Sequence, residues 1–448
     1  MLPGFFNTHY HAHDTLLKGC FEAISLDLWA LLAMPHAYGR RSPEELRARV
    51  LVGGIECLRT GITTVQDMHS LNPFHEEDLD VILSAYEELG LRVVLAPQIA
   101  DVGRVKSRVF YSELLSADEQ KRLSAPARQF PEGTDVVRLL ESLIRARRGS
   151  SPLAFFALGP SSPESCSPAL WERLVDLSAR EELPIYTHIY ENKGMTHVAR
   201  EGWREHHGSH VHWLKSLGAL TPRMTLAHSV WMRQDEIELI GEAGANVGLN
   251  PVGNLKTRSG IAPTREFLNA GINIGLGCDN CSCSDVQNMF QAMKLYVTLA
   301  AVCHPDEGPP RAADALRAAT VNGAKTAGFS DLGHLRAGMR ADVTILDLSD
   351  ISYVPLNSVA RQVVFTESGR AVETVIVDGR VIMQDRRILT VDEAEVRETV
   401  ERVLPGVQKS LAEIRARIAP IEGKLGLAES KTWATDLGVN RYVGYFRD

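Results

Sequence analysis

The sequence predicts an α/β protein that folds as a (β/α)8 TIM-like barrel, with a small β-sandwich-like unit after the barrel. Three observations predict this class. Eight short apolar runs alternate with longer helical stretches. Most of the runs are almost continuously apolar, as in parallel strands that are covered on both faces. Polar side chains that are capable of chemistry gather at the carboxyl ends of these runs, where barrel enzymes carry their active sites.

The eight predicted strands all lie before residue 281. Repeated strand–helix units predict a parallel sheet, and eight such units predict a closed barrel. In chain order the predicted strands are Gly4–His9, Ile62–Met68, Arg92–Ile99, Leu153–Pro160, Pro184–Glu191, Met224–Val230, Asn246–Val252 and Ile272–Asn280.

The clearest predicted helix runs over Ser42–Thr60. Ser42 is a suitable N-cap, Pro43 stands at the first helical position, and Glu45 is expected to complete a capping box. Apolar residues recur along this segment at helical spacing, so one face of the helix is expected to pack on the barrel.

The pattern changes after residue 330 and predicts three regions: a barrel over 1–330, a small β unit over 331–390, and a helix and tail over 391–448 that pack on the barrel. Ala341–Leu348 reads as a strand. Val372–Val377 and Arg380–Met383 read as a hairpin, because an Asp-Gly pair between them favours a tight turn. Val391–Ala419 has the charge and apolar spacing of an amphipathic helix.

Composition excludes several classes of protein. The chain has 448 residues, of which 44% are hydrophobic and 23% charged, so it can bury a large core without disulfides. Its net charge of −8 argues against nucleic acid or an anionic membrane as a partner. The seven cysteines lack framework spacing and are expected to be free thiols. The sequence shows no apolar run long enough to cross a membrane and no signal-peptide pattern, so a cytoplasmic location is expected.

Four side chains at the predicted strand ends form a candidate metal site. His9 and His11 are two residues apart on one strand, so their imidazoles share a face. His188 ends the fifth strand, and Asp279 lies at the end of the eighth. Three imidazoles and one carboxylate suit one divalent ion, zinc first and iron as the alternative. His13 continues the spacing but lies beyond the strand, so it is left outside the ligand set.

Other side chains at the same face are candidates for proton transfer and substrate contact. Glu191 could move a proton from the nucleophile to the leaving group or to a ring nitrogen. His228 could polarise the substituent of the attacked carbon or steady the bound hydroxide. The interpretation of both as ordinary surface or core residues stays open. The candidate substrate contacts are Trp29, Gln66, Asn280 and Cys283.

Several strand-end segments also match known motifs, and together they make the sequence resemble the amidohydrolase superfamily. The similarity is to the branch that contains triazine hydrolases, chlorohydrolases and amino-heterocycle deaminases, and it covers roughly residues 2–390. The matching segments are Pro3–His11, Gly61–Val65, Thr187–Glu191, Leu226–His228, parts of Asn250–Pro263, and Gly275–Asn280.

The resemblance implies a single metal ion held by His9, His11, His188 and Asp279. It implies that Asp279 also takes the proton of the attacking water, that Glu191 protonates a ring nitrogen and then the departing group, and that His228 stabilises the tetrahedral adduct. The fourth strand lacks the lysine of binuclear relatives, so the sequence is similar to the mononuclear class.

The same resemblance implies a small-molecule heterocyclic substrate and a homo-oligomer, a dimer or larger. Family members usually carry, ahead of the Pro-Gly motif, strands that form half of the β-sandwich. This sequence begins at Met1, so the unit after residue 330 is expected to lack those partner strands and to expose sheet edges.

Three functions remain open from sequence. The first is hydrolytic deamination of an amino-substituted purine, pyrimidine, pterin or triazine. The second is a related hydrolysis in which chloride, an alkylamine, or an amide or carbamate fragment leaves. The third is a metal-binding or scaffolding protein without catalysis, which the presence of every proton-handling group disfavours.

Overall fold

A computed structural model describes residues 1–103, 105–124 and 129–443 and contains the predicted barrel. The fourth strand is interrupted after Phe156, and the eighth after Leu276. The eight barrel strands are Phe5–His11, Ile62–His69, Arg92–Ile99, Ala154–Phe156 with Gly159–Pro160, Ile185–Ile189, Met224–His228, Asn246–Leu249, and Asn273–Leu276 with Asp279–Asn280.

Strand pairing closes the barrel into a ring. Strands one to four pair in parallel in chain order, as do strands five to eight. Strands four and five join through a parallel bridge between Leu158 and Ile185. The interrupted eighth strand completes the ring, because its first part pairs with strand seven and Asp279–Asn280 pairs with strand one. The predicted (β/α)8 class is therefore confirmed.

Helices follow the strands around the barrel. The α-helices are Leu26–Ala33, Pro43–Arg59, Glu76–Leu89, Tyr111–Leu114, Ala117–Ser124, Val136–Arg147, Pro168–Glu181, Lys193–Gly202, His210–Ser216, Gln234–Ala243, Pro251–Lys256, Thr264–Asn269, Cys281–Ser284, Met289–Cys303, Ala312–Ala318, Val321–Thr326, Val359–Phe365, Glu393–Ile418 and Glu422–Ala434. The 3-10 helices are Ala12–Leu17, Pro35–Ala37, Pro163–Ser165, Arg204–His206, Ile351–Tyr353 and Ala419–Ile421.

The helix Pro43–Arg59 begins as predicted, but its capping box is not formed. Ser42 accepts a hydrogen bond from the backbone amide of Glu45, as an N-cap should. The Glu45 carboxylate instead accepts two hydrogen bonds from the buried guanidinium of Arg49, one turn later. A charged partner at i+4 thus takes the side chain away from the helix terminus.

The unit after the barrel is a five-stranded antiparallel sheet. Its order is Leu2–Pro3, Val343–Leu346, Val372–Val377, Arg380–Gln384 and Arg387–Ile388. Residues Leu2–Pro3 therefore supply a short N-terminal edge strand that the sequence prediction did not include. The Asp-Gly turn forms as predicted, with positive φ at both Asp378 and Gly379.

Two packing contacts tie the later elements to the barrel. Arg92, fully buried at the start of strand three, donates hydrogen bonds to Asp342 and Asp378 of the antiparallel sheet. The helix Glu393–Ile418 and the helix Glu422–Ala434 pack apolar residues, such as Leu411 and Leu425, on the segment that follows strand one. No described helix is both long enough and apolar enough to span a lipid bilayer.

Replacing Arg92 with Leu is expected to lower the free energy of unfolding by about 3–5 kcal/mol, because the buried Asp342 carboxylate loses its cationic partner. Urea unfolding followed by circular dichroism measures the change. Arg145→Leu is the control, since its contact with Glu181 is exposed and worth at most about 1 kcal/mol. Equal losses in the two variants would contradict the assignment of Arg92 as the link between sheet and barrel.

Candidate metal centre

Four side chains, three of them buried and that of His188 partly buried, converge where the barrel strands end. The Nε2 atoms of His9 and His11 lie 3.1 Å apart, and those of His11 and His188 lie 3.4 Å apart. Asp279 Oδ1 lies 3.5 Å from His9 Nε2 and 3.6 Å from His11 Nε2. The structure thus brings together the four residues that the sequence nominated as metal ligands.

Hydrogen bonds on the far side of two imidazoles fix their tautomers. His11 Nδ1 lies 2.7 Å from the carbonyl oxygen of Met68, and His188 Nδ1 lies 2.6 Å from that of Ser161. A carbonyl oxygen only accepts, so each Nδ1 carries the proton and each Nε2 presents a lone pair. Two lone pairs that face each other at 3.4 Å repel unless a cation lies between them. This arrangement fits a divalent metal ion.

Burial keeps the imidazoles of the site neutral. It lowers the pKa of His9 and His11 well below the usual value, and each ring is lowered further by its imidazole neighbours. Burial also lowers the pKa of His188 to about 4 and that of His228 to about 4. Neutral imidazole is the form that binds metal, so no proton must be displaced from these rings at neutral pH.

The Asp279 carboxylate is held in place by an uncommon backbone. Asp279 has a φ of +64°, in the left-handed region that costs a non-glycine residue roughly 1 kcal/mol or more. Its Oδ1 accepts a hydrogen bond of 2.8 Å from the amide of Asn280. Gly253 packs so closely against it that a Cβ there would lie 2.6 Å from Asp279 Oδ2. The carboxylate therefore has little freedom to turn away from the imidazoles.

Two further groups face the same point. His228 Nδ1 donates a hydrogen bond of 2.8 Å to Asn254 Oδ1, which leaves His228 Nε2 as an unpartnered acceptor. That Nε2 atom lies 3.6 Å from Glu191 Oε2 and 4.0 Å from Asp279 Oδ2. Burial, and then the charge of Asp279, raise the pKa of Glu191 well above its usual value. Glu191 is therefore suited to carry a proton.

The site opens into a cavity of about 680 Å³, a size typical of small-molecule sites. Of the four predicted substrate contacts, Trp29 and Asn280 line this cavity, together with Glu191 and His228. Trp29 is fixed by a 2.8 Å hydrogen bond from its indole nitrogen to Ser282. The cavity wall thus includes an aromatic face that could stack on a planar ring.

Two predicted substrate contacts lie outside the cavity wall. Gln66 points into the barrel below the site, where its amide donates to Thr326 at 2.9 Å and to Tyr186. Met68 is two residues later on the same face of strand two, so it lies nearer the mouth of the barrel than Gln66. The sequence prediction therefore placed Gln66 one layer of side chains too close to the mouth. The Cys283 thiol is buried behind Asp279 and near Gly253. The thiol donates to the carbonyl oxygen of Asn280, with a sulfur–oxygen distance of 3.4 Å.

Sequence reasoning missed residues that support the site from the loops. Buried Asp14 accepts hydrogen bonds from the amides of Cys281 and Ser282 and from the Ser282 hydroxyl that holds Trp29. Arg108 and Glu164 line the cavity. Of these, only Asp14 carried a signal, since it directly follows the His-rich end of strand one; the other two lie in loops whose paths the sequence does not give.

Comparison with known proteins agrees with this geometry. The profile of the amidohydrolase family matches residues 1–382. A 5'-deoxyadenosine deaminase of Methanothermobacter thermautotrophicus is 31% identical over 403 residues, which cover 90% of this chain and 86% of that protein. A 5-methylthioadenosine/S-adenosylhomocysteine deaminase of Syntrophomonas wolfei is 31% identical over 412 residues, covering 90% and 87%.

A solved structure with bound zinc is also similar. The adenosine deaminase from Xanthomonas campestris superposes with a TM-score of 0.75 at 25% sequence identity, covering 90% of this chain and 85% of that one. The similarity includes the barrel that positions the candidate metal centre.

Replacing His188 with Ala is expected to abolish retention of the metal, because one of three imidazole lone pairs is removed. Elemental analysis after gel filtration measures the metal-to-protein ratio, which should fall from about one to below about 0.1. His212→Ala is the matched control, since His212 lies outside the site and faces Asp235. Full occupancy in the His188 variant would contradict its assignment as a ligand.

Proposed function

Because this chain belongs to the amidohydrolase family, we propose that it hydrolyses an amino-substituted N-heterocycle and releases ammonia. The observation that carries the proposal is the set of inward-facing imidazole lone pairs beside a carboxylate, with a proton-carrying glutamate at the same point. These groups stand at the floor of a cavity of ligand size.

The proposed ligands of one divalent ion are His9, His11, His188 and Asp279. Zinc is the proposed metal, since three nitrogens and one carboxylate oxygen suit it and a similar protein binds it. When bound, such an ion lowers the pKa of water toward about 7 and so supplies a nucleophile at neutral pH.

The chain's own residues handle the protons of the reaction. Asp279 takes a proton from the attacking water, and His228 Nε2 accepts a hydrogen bond from the remaining hydroxyl group and so orients it. Glu191 donates its proton to a ring nitrogen as water adds to the sp² carbon. Glu191 then takes the proton of the adduct's hydroxyl group and passes it to the amino group, so that the carbon–nitrogen bond breaks and ammonia leaves as the ring carbonyl forms. The proton held by Asp279 returns to Glu191 and restores both carboxyl groups to their starting states.

Adenine-containing nucleosides are the first substrates to test, because the similar proteins are named as deaminases of 5'-deoxyadenosine, 5-methylthioadenosine, S-adenosylhomocysteine and adenosine. We expect the zinc-loaded protein to release one ammonia per substrate consumed from at least one amino-heterocycle in a panel of purines, pyrimidines, pterins and triazines. Chloride release from a chlorotriazine without ammonia from any amine would favour the second reaction. Metal-loaded protein that is inert to the whole panel would contradict both.

Glu191→Gln is expected to keep its metal and to lose turnover by about 10²- to 10⁴-fold, because the amide cannot pass a proton to the ring. Steady-state ammonia release and elemental analysis measure the two effects together. Glu172→Gln, on the exposed face of the helix Pro168–Glu181, is the matched control. Unchanged turnover in the Glu191 variant would remove it from the proposed proton path.

The homo-oligomer and the cytoplasmic location expected from the sequence stay predictions. Neither affects the proposed chemistry, which uses residues of one chain only.

A further inference from the structure

The segment that carries Glu191 is a short turn between barrel strand five and the helix Lys193–Gly202. Tyr190, directly before Glu191, has a φ of +48°, in the left-handed region that is unfavourable for a tyrosine. The Glu191 carboxyl group lies 3.6 Å from His228 Nε2, which is beyond hydrogen-bonding distance. The direction of this side chain therefore depends on the backbone on either side of it.

Asn192 holds the turn at its end nearer the helix. Its Oδ1 atom accepts a hydrogen bond of 2.9 Å from the amide of Met195, so it caps the helix. Its Nδ2 atom donates a hydrogen bond of 3.2 Å to Asp27 Oδ2. The packing is tight here, since a Cβ on Gly194 would lie 3.2 Å from the same oxygen. One side-chain amide thus links the backbone next to Glu191 to the position of Asp27.

Asp27 is itself anchored to two other segments of the barrel mouth. It lies in the first turn of the helix Leu26–Ala33, after strand one, and the amide of Leu26 donates a hydrogen bond of 3.1 Å to the carbonyl oxygen of Thr257, after strand seven. Arg108, in the segment after strand three, places its Nε atom 2.8 Å from Asp27 Oδ1. The segments after strands one, three, five and seven thus meet at Asp27.

Asp27 acts on Glu191 from outside the cavity. It lies outside the described wall of the 680 Å³ cavity, which Glu191 and Arg108 line. Burial and the charge of Asp279 do most to raise the pKa of Glu191; the charge of Arg108 then lowers it, and that of Asp27 raises it. The charges of Asp27 and Arg108 oppose each other at Glu191, so the contribution of Asp27 that stands out is geometric.

We propose that Asp27 is a positioning residue for proton transfer: through the hydrogen bond from Asn192, it holds Glu191 in line with His228 and the substrate ring. This inference rests on the proposed deamination and adds to it a residue that does not touch the substrate. A displacement of about 1 Å at a reacting group can lower turnover by about 10²-fold. Loss of the link should therefore lower kcat and leave substrate binding unchanged.

The test begins with Asn192→Asp, which keeps the helix cap, because aspartate and asparagine cap about equally well. It removes the donor and puts a carboxylate oxygen in place of the amide nitrogen that lies 3.2 Å from Asp27 Oδ2. In the zinc-loaded protein, kcat for the panel substrate that the wild type deaminates fastest should fall about 10- to 100-fold, with KM within about threefold. Asn192→Ser, which also caps but is too short to reach Asp27, should show the same loss. Elemental analysis should find the metal retained.

The second step exchanges the two side chains in the double variant Asp27→Asn/Asn192→Asp, which leaves the net charge unchanged. The amide at position 27 can donate to the carboxylate at position 192 while its oxygen faces Arg108. We expect kcat to return to within about threefold of the wild type, because the two substitutions are strongly coupled.

Asn288→Asp is the matched control. Asn288 also caps a helix, and its amide nitrogen donates to the carbonyl oxygen of Ser368, outside the cavity wall. Its kcat should stay within about threefold of the wild type, since the same substitution is made at the same helical position without a link to Glu191. Thermal unfolding checks that each variant folds.

Three results would overturn the proposal: wild-type turnover in Asn192→Asp, a loss that the double variant does not reverse, or a loss in KM alone, which would place Asp27 in substrate binding. If the wild type deaminates nothing in the panel, the proposed function fails, and crystal structures of the zinc-loaded wild type and the two variants decide about Asp27. A Glu191 carboxyl group that moves by about 1 Å or more in Asn192→Asp and returns in the double variant would support the link. An unmoved group, or a displacement that the exchange does not reverse, would overturn it.

Discussion

Two imidazole lone pairs that face each other at 3.4 Å inside a closed barrel are the constraint on which the rest of the site depends. A backbone carbonyl in strand two and another directly after strand four fix both tautomers, so neither ring can turn its proton inward. A cation relieves this repulsion, and it also compensates the buried carboxylate of Asp279. The fold therefore holds four side chains in a geometry that is favourable only around a positive charge.

The fold could be predicted because its signals are local. Strand three has the predicted bounds, Arg92–Ile99, since it is a mostly apolar run between a glycine-containing turn and a polar loop. Strand four was predicted as one run, but in the structure it breaks after Phe156. Leu158 bridges to Ile185 of strand five there, and Gly159–Pro160 then pair with strand three again. Sequence periodicity records which residues are buried and does not record such changes of partner.

In the candidate site, too, some residues could be predicted from the sequence and others could not. His9, His11, His188 and Asp279 could be nominated because the carboxyl ends of parallel strands meet at one face of a barrel. Gln66 was wrongly predicted to contact the substrate, because the sequence does not show how far strand two continues beyond it. The strand runs to His69, so Met68 lies in the layer of side chains nearer the mouth of the barrel. Glu164 and Arg108 were missed because loops bring them to the cavity, and loop paths depend on tertiary packing.

Crystals of the protein grown with zinc, and diffraction data collected on both sides of the zinc absorption edge, would test the central claim most directly. The account predicts one anomalous peak within about 2.0–2.2 Å of the Nε2 atoms of His9, His11 and His188 and of a carboxylate oxygen of Asp279. A barrel mouth without a peak in fully zinc-loaded crystals, or a peak bound by other residues, would contradict it.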